Sequence, residues 1–286
     1  MPTRSLNSEI HLKNSSAPVI LLLITIFLLN GCGSETYEQR LKETVKYFEY
    51  VDVRNQALSG IWSAPTIKMR IPIEFTQLEA PKKAPVTTSE EAPPEETSPE
   101  TVETIDTRQP DYIDLELPGL EGAWRGEVPV DLDNEIVDRP AYLYVLSNNY
   151  LIKEKNMDEA SDFHNKVLGA IAGTFNQFLN PDNQFLNLEE FTSERFPQGK
   201  GYTKAKSFLV GKFEPETQIE GVDYQFRIYL DESEKNQVVI LLVIPKNISR
   251  GSKLNEHMDY SLETVDITSP QNSRGGQNSS SGRSSF

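Results

Sequence analysis

An α+β domain is the fold this sequence predicts. It should be an antiparallel sheet of about six or seven strands with helices on both faces, carrying a disordered acidic insert and a disordered C-terminal tail. Three observations carry that expectation. Val238-Val239-Ile240-Leu241-Leu242-Val243-Ile244 is apolar at every position, as a central strand covered on each side must be. Residues 141–147 set Tyr142, Tyr144 and Leu146 against Leu143 and Val145, the alternation of a strand. Apolar positions three and four apart, beginning near Met157 and at Leu254, supply helices to cover the sheet.

In chain order, residues 1–31 read as a signal peptide. From Val19 to Leu29 every residue but Thr25 is apolar, with Arg4 and Lys13 ahead of the run. As a helix it would reach about 17 Å, well short of the roughly 30 Å of hydrocarbon that a permanent span crosses. Residues 32–60 follow as a mature N-terminus and amphipathic helix, with Tyr37, Leu41, Val45, Phe48, Val51 and Leu58 as its stripe. Glu35 and Glu38 suit the start of that helix and Gly60 its end. The large residues of the stripe predict packing onto the domain, a stalk is the alternative, and the pattern is too short to argue a coiled coil.

Residues 61–78 hold the first strand, where Ile67, Met69, Ile71, Ile73 and Phe75 alternate with other residues. Pro72 has no amide hydrogen, which predicts an edge strand or a bulge. Residues 79–110 turn to Pro, Glu and Thr, as in Glu90-Glu91-Ala92-Pro93-Pro94-Glu95-Glu96, a composition that cannot offset its ordering entropy. It reads as a linker or insert rather than a specific binding tract, and it lacks the ligand spacing of a calcium loop. The rest of the domain spans residues 111–267. Strands are expected at 113–117, 122–130, 141–147, 207–213, 222–230 and 238–244, with 231–237 as a hairpin connection. A helix is expected from Met157, capped by Asn156 with Glu159 three residues on, faced by Phe163, Val167, Ile171 and Phe178, and ended by Pro181. Leu254, Met258, Leu262 and Val265 mark a last helix, and residues 268–286 a Ser-, Asn- and Gly-rich tail.

The apolar leader ends Leu28-Leu29-Asn30-Gly31-Cys32, which resembles the bacterial lipobox. That resemblance implies cleavage between Gly31 and Cys32 and lipidation of the Cys32 sulfur, which makes Cys32 the first mature residue. Several acyl chains at about 0.8 kcal/mol per buried CH₂ would anchor the chain stably to the membrane. The alternative is an ordinary secreted protein with an incidental cysteine. Gly33 is not aspartate, which implies the outer membrane if the cell is Gram-negative. Separately, the element order, with Ile71-Pro72-Ile73-Glu74-Phe75 at the end of the first strand, resembles the Mog1/PsbP-like fold. It implies that the strand before the acidic insert pairs with strands after it, and that binding or assembly is the role.

Composition narrows the chemistry. The formal net charge is −15, and losing Arg4, Lys13 and Glu9 with the signal makes the mature chain one charge more acidic. Such a surface repels phosphate backbones, so nucleic acid is not expected as a partner. A single cysteine allows neither an internal disulfide nor a thiolate zinc site. His164 and His257 sit on different expected helices without metal-ligand spacing, and His164 beside Phe163 reads as structural or surface rather than catalytic. Asp158, Glu159 and Asp162 suit a helix start, while adjacent Glu189 and Glu190 diverge. Gly199-Lys200-Gly201 lacks the rest of a phosphate loop, and Gly169 with Gly173 reads as close packing. Trp62 and Trp124 read as core, with a ligand pocket as the alternative.

These residues name no catalytic group, cofactor or metal. The function expected is a non-enzymatic, membrane-anchored lipoprotein of the cell envelope, a binding or assembly module with a protein partner. A small carboxylate-based envelope enzyme and a purely structural component are the alternatives.

Overall fold

The computed structural model describes residues 34–80, 106–132, 135–175, 191–198, 201–216, 218–231 and 235–267. Residues 1–31, read above as a signal peptide, Cys32, Phe178, Pro181, Glu189, Glu190, most of residues 79–110 and the tail lie outside the described residues. The chain divides into two units, residues 1–53 and 54–286.

Helix α1, Ser34–Ala57, carries Glu35 in its first turn and Arg54 in its last, the order that complements a helix dipole. Within the first unit Tyr37, Leu41, Val45 and Phe48 of the apolar stripe are exposed. The helix also stops before Gly60. Leu58 is buried and opens strand β1, Leu58–Ser63, facing Pro72 of β2, Ile67–Pro72.

In the second unit β2 is the middle of a three-stranded sheet, β1-β2-β10, whose last member is Asp266–Ile267. Pro72 is therefore not on an edge strand. It closes β2, where a missing amide costs little, and the irregularity lies opposite, between Leu58 and Ile61 of β1. After a two-residue turn, β3, Phe75–Gln77, joins the larger sheet. Its other strands are β4, Leu120–Leu132; β5, Glu135–Ser147; β6, Thr192–Phe196; β7, Lys206–Phe213; β8, Tyr224–Asp231; and β9, Val238–Pro245. Their order is β3-β4-β5-β9-β8-β7-β6, with every pairing antiparallel. The expected strand 238–244 thus becomes the central one of seven, and all eight residues of β9 are buried. Segments on either side of the insert pair directly, Phe75 with Gly126 and Lys68 with Asp266.

Strand alternation divides the interior into two layers. Tyr142, Tyr144 and Leu146 of β5 with Val239, Leu241 and Val243 of β9 face one core, together with Phe163, Val167 and Ile171. Leu143 and Val145 with Ile240 and Leu242 face the other, which Ile67, Met69 and Ile71 of β2 and Leu254, Met258 and Leu262 close. Helix α5, Leu254–Glu263, covers this second face.

The first face is covered by α2, Asn149–Lys153; α3, Met157–Ser161; and α4, Phe163–Thr174, where the sequence predicts one long helix. Asn156 does cap α3, accepting the Glu159 amide hydrogen at 3.4 Å. The break at Asp162 has a cause far along the chain. Gln237, ahead of β9, donates to the Ser161 carbonyl at 2.8 Å and accepts from the His164 amide at 3.0 Å, taking up backbone groups that a continuous helix would pair. The strand expected at 113–117 is also absent, although Leu115 and Leu117 are buried. The Gln109 side chain accepts from the Leu117 amide at 2.7 Å and donates to the Leu117 carbonyl at 3.1 Å, so a side chain stands in for a neighbouring strand.

Candidate functional site

The segment 106–119 returns from the insert and lies over the first face of the sheet. Tyr112 fixes it there: its ring stacks on Tyr142 with centroids 4.3 Å apart, and its hydroxyl accepts from Tyr144 at 3.3 Å. Gly119 then turns the chain into β4 with φ of +66°, a backbone region open to glycine. A Cβ there would lie 2.3 Å from the Ser147 carbonyl oxygen, so the turn needs glycine for space as well.

Between this segment and helices α2 and α4 opens a cleft of about 530 Å³, with Asp106, Glu116, Leu117, Tyr150, Lys166 and Ala170 on its walls. At one side Arg108 meets Asp106 at 2.7 Å and reaches the Glu121 carbonyl at 3.1 Å. The hydrogen bond from Arg108 holds the Asp106 carboxyl below its usual range. At the other side Lys166 contacts Glu159 at 3.0 Å and lies 5.9 Å from the centre of the Tyr150 ring. The hydrogen bond that Lys166 donates to Glu159 raises the ammonium's pKa, and the same bond lowers that of the Glu159 carboxyl, so both stay charged at neutral pH.

Beneath the cleft lies a run of buried polar residues, Ser147, Asn148 and Asn149. The Ser147 hydroxyl donates to Glu121 at 2.9 Å, and the Asn149 amide points to the same carboxylate oxygen at 3.4 Å. Asn148 donates to the Ala160 and Lys235 carbonyls. This network pins the β5–α2 junction and so fixes Tyr150 against the cleft. The arrangement offers a cation, an aromatic face, carboxylates and apolar walls, a recognition surface for a polar group with an apolar stem.

The two histidines are not brought together. His164 starts α4 on the first face, where burial lowers its pKa. His257 lies on α5 on the second face, with Nδ1 2.6 Å from the Glu74 carboxylate, tying that helix to the β2–β3 corner. His257 thus joins two elements across the second face. Trp62 and Trp124 pack edge to face with centroids 4.8 Å apart over Gly122 and do not line this cleft. Among the described residues no group of three or more His, Cys, Asp or Glu side chains could hold a metal, and no helix is long and apolar enough to cross a membrane. Sequence reasoning missed the cleft. The sequence carries no signal for it, because Glu159 and Lys166 sit on separate helices, α3 and α4, and meet across the break at Asp162.

No family model matches the chain, and no curated protein matches it. Among solved structures it is similar to a protein of Bacteroides thetaiotaomicron at 9% identity and a TM-score of 0.30, over 72% of this chain and 47% of that one. The chain therefore spans just under half the length of that protein.

Proposed function

We propose that this chain is an exported lipoprotein of the bacterial envelope, anchored through the sulfur of Cys32, whose domain binds or assembles with a protein partner. The single observation behind it is Leu28-Leu29-Asn30-Gly31-Cys32 at the end of an apolar run too short to span a bilayer. Lipidation also accounts for the chain's one cysteine, which would otherwise stand as a lone thiol in an oxidising compartment. In a Gram-negative cell Gly33 directs the protein to the outer membrane. The Mog1/PsbP-like resemblance supports a binding role, and so does the cleft, where Asp106 and Lys166 are already paired within the domain and suit recognition. The partner would be a protein segment presenting a polar side chain to Lys166, Tyr150 and Glu116.

Radioactive palmitate fed to cells should label the wild-type protein and not Cys32→Ser, which should accumulate as a longer precursor. Labelling that persists in the variant, or a native protein whose mass includes residues 1–31, would overturn the anchor. Affinity capture from detergent-solubilised envelopes should recover one stoichiometric partner that Lys166→Glu loses. Turnover by the purified domain, abolished by one carboxylate change, would replace this reading with the enzyme.

A further inference from the structure

We propose that His164 is an acid-sensitive latch on the cleft: charging its ring frees the start of α4 from Gln237 and shifts the wall that carries Lys166 and Ala170. His164 is the second residue of α4, and its backbone amide donates to the Gln237 side chain at 3.0 Å. The Gln237 carbonyl in turn accepts from the Asn148 amide at 3.1 Å, so one residue ties α4 to the buried network beneath the cleft. Next to His164, Phe163 is fully buried and packs edge to face against Tyr150, with ring centroids 6.4 Å apart. A Cβ on Gly119 would come within 3.1 Å of that same Phe163 ring. Tyr150 and Gly119, which line the cleft, thus rest on the first turn of α4.

The neutral ring fits this place and the cation does not. Nε2 is shut off from solvent and has no hydrogen-bond partner among the described residues. Protonation puts an N–H on both ring nitrogens, so Nε2 would become a buried donor without an acceptor. The ring also stands at the positive end of the α4 dipole, where a cation is disfavoured. Asp231, at the end of β8, and the Val238 backbone favour the charged form, yet burial outweighs them. On the stretch around His164 itself, Asp162 accepts from Asn165 at 2.6 Å and Glu159 from Lys166 at 3.0 Å, so both carboxylates are committed elsewhere. A charged ring therefore gains by moving out to water, and that movement pulls the α4 start off the Gln237 clamp. Opening takes up one proton at a free imidazole of pKa 6.5, so below that pH the open fraction climbs by up to about tenfold per pH unit, until the closed state titrates too.

Hydrogen exchange on the purified full-length protein between pH 7.5 and 5, corrected for the intrinsic rate at each pH, tests the latch and needs neither the anchor nor a partner. Protection in peptides covering residues 149–175 should fall below pH 6.5 while that of β9 holds. His164→Gln keeps a neutral polar side chain and should abolish this step, whereas His257→Gln should retain it. The Glu159 carboxyl titrates below its ordinary range, so its pair with Lys166 does not supply the step. A step that persists in His164→Gln, no step in the wild type, or equal loss across β9 would overturn the proposal. Gln237→Ala is the second variant should His164→Gln fail to fold: without the clamp, residues 163–175 should exchange about tenfold faster at pH 7.5, the effect of one lost hydrogen bond. Unchanged exchange there would overturn the latch as well.

Discussion

Asp259→Asn should stabilise the domain at neutral pH and leave it unchanged in acid. Asp259 lies on α5, facing Arg227 of β8 and Glu194 of β6, with Glu263 and Glu256 on its own helix. Burial is the largest influence on its carboxyl. Arg227 opposes it, the three glutamates reinforce it, and the pKa rises from 3.8 to about 6. A raised pKa means that the native state binds the proton more tightly than the unfolded chain. The stability from the neutral carboxyl is complete below pH 3.8 and is lost as pH rises through about 6. At about 1.36 kcal/mol per pKa unit, that displacement corresponds to roughly 3 kcal/mol at pH 8 for a fully shielded group. Asp259 is only partly buried, and solvent screening reduces the figure to about 1 kcal/mol.

Asparagine keeps the shape and removes the charge, so the variant should gain that amount above pH 7, a melting temperature higher by about 2–4 °C. Chemical denaturation of both proteins at one-unit steps from pH 4 to 8 reads the effect directly. The difference should be near zero at pH 4 and reach its plateau by pH 7. A difference that does not change with pH would mean that the substitution acts through packing or hydrogen bonds. A loss of stability at pH 8 would show that the Arg227 attraction outweighs burial and the glutamates. His164 works in the other direction: its lowered pKa costs stability as pH falls below 6.5, but it is common to both proteins and cancels.

Three further outcomes follow from the packing. Gly119→Ala combines a left-handed backbone with a Cβ 2.3 Å from the Ser147 carbonyl oxygen, so it should cost about 2–4 kcal/mol in denaturant melts. Leu241→Ala and Leu242→Ala point to opposite faces of β9 and are both fully buried. Each should cost about 3 kcal/mol, whereas a sheet covered on one side would show the loss in only one of them. A protease site placed within residues 81–105 and then cut should leave the two pieces associated on a sizing column, because Lys68 pairs with Asp266 and Phe75 with Gly126 across the gap. Separation without denaturant would refute that joint sheet.

What was legible in the sequence was whatever depends on periodicity within one segment. An unbroken apolar run made β9 central, and the alternation in β5 set its two faces correctly. Periodicity also misled where it ran past its physical basis. Leu58 lies seven residues beyond Val51 and extends the α1 stripe, yet it is buried because β1 pairs with Pro72, a contact that no helical pattern encodes. β6, Thr192–Phe196, passed unnoticed because Phe196 is its only buried residue, as suits a strand on the sheet's edge.

The cleft was illegible for a more general reason: its walls are set by single side chains acting across long separations. Gln237 breaks the long helix into α3 and α4 from more than seventy residues away, and Gln109 takes up both backbone groups of Leu117, at the end of the expected strand 113–117. A glutamine in sequence gives no sign of which backbone it will meet. If Gln237 joined a different pair of groups, α3 and α4 could run on as one helix, and Glu159 would no longer be placed to hold Lys166 beside Tyr150. The shape of the cleft thus depends on two neutral amides that touch none of its charged groups, and both are more informative targets for disrupting it than the histidines.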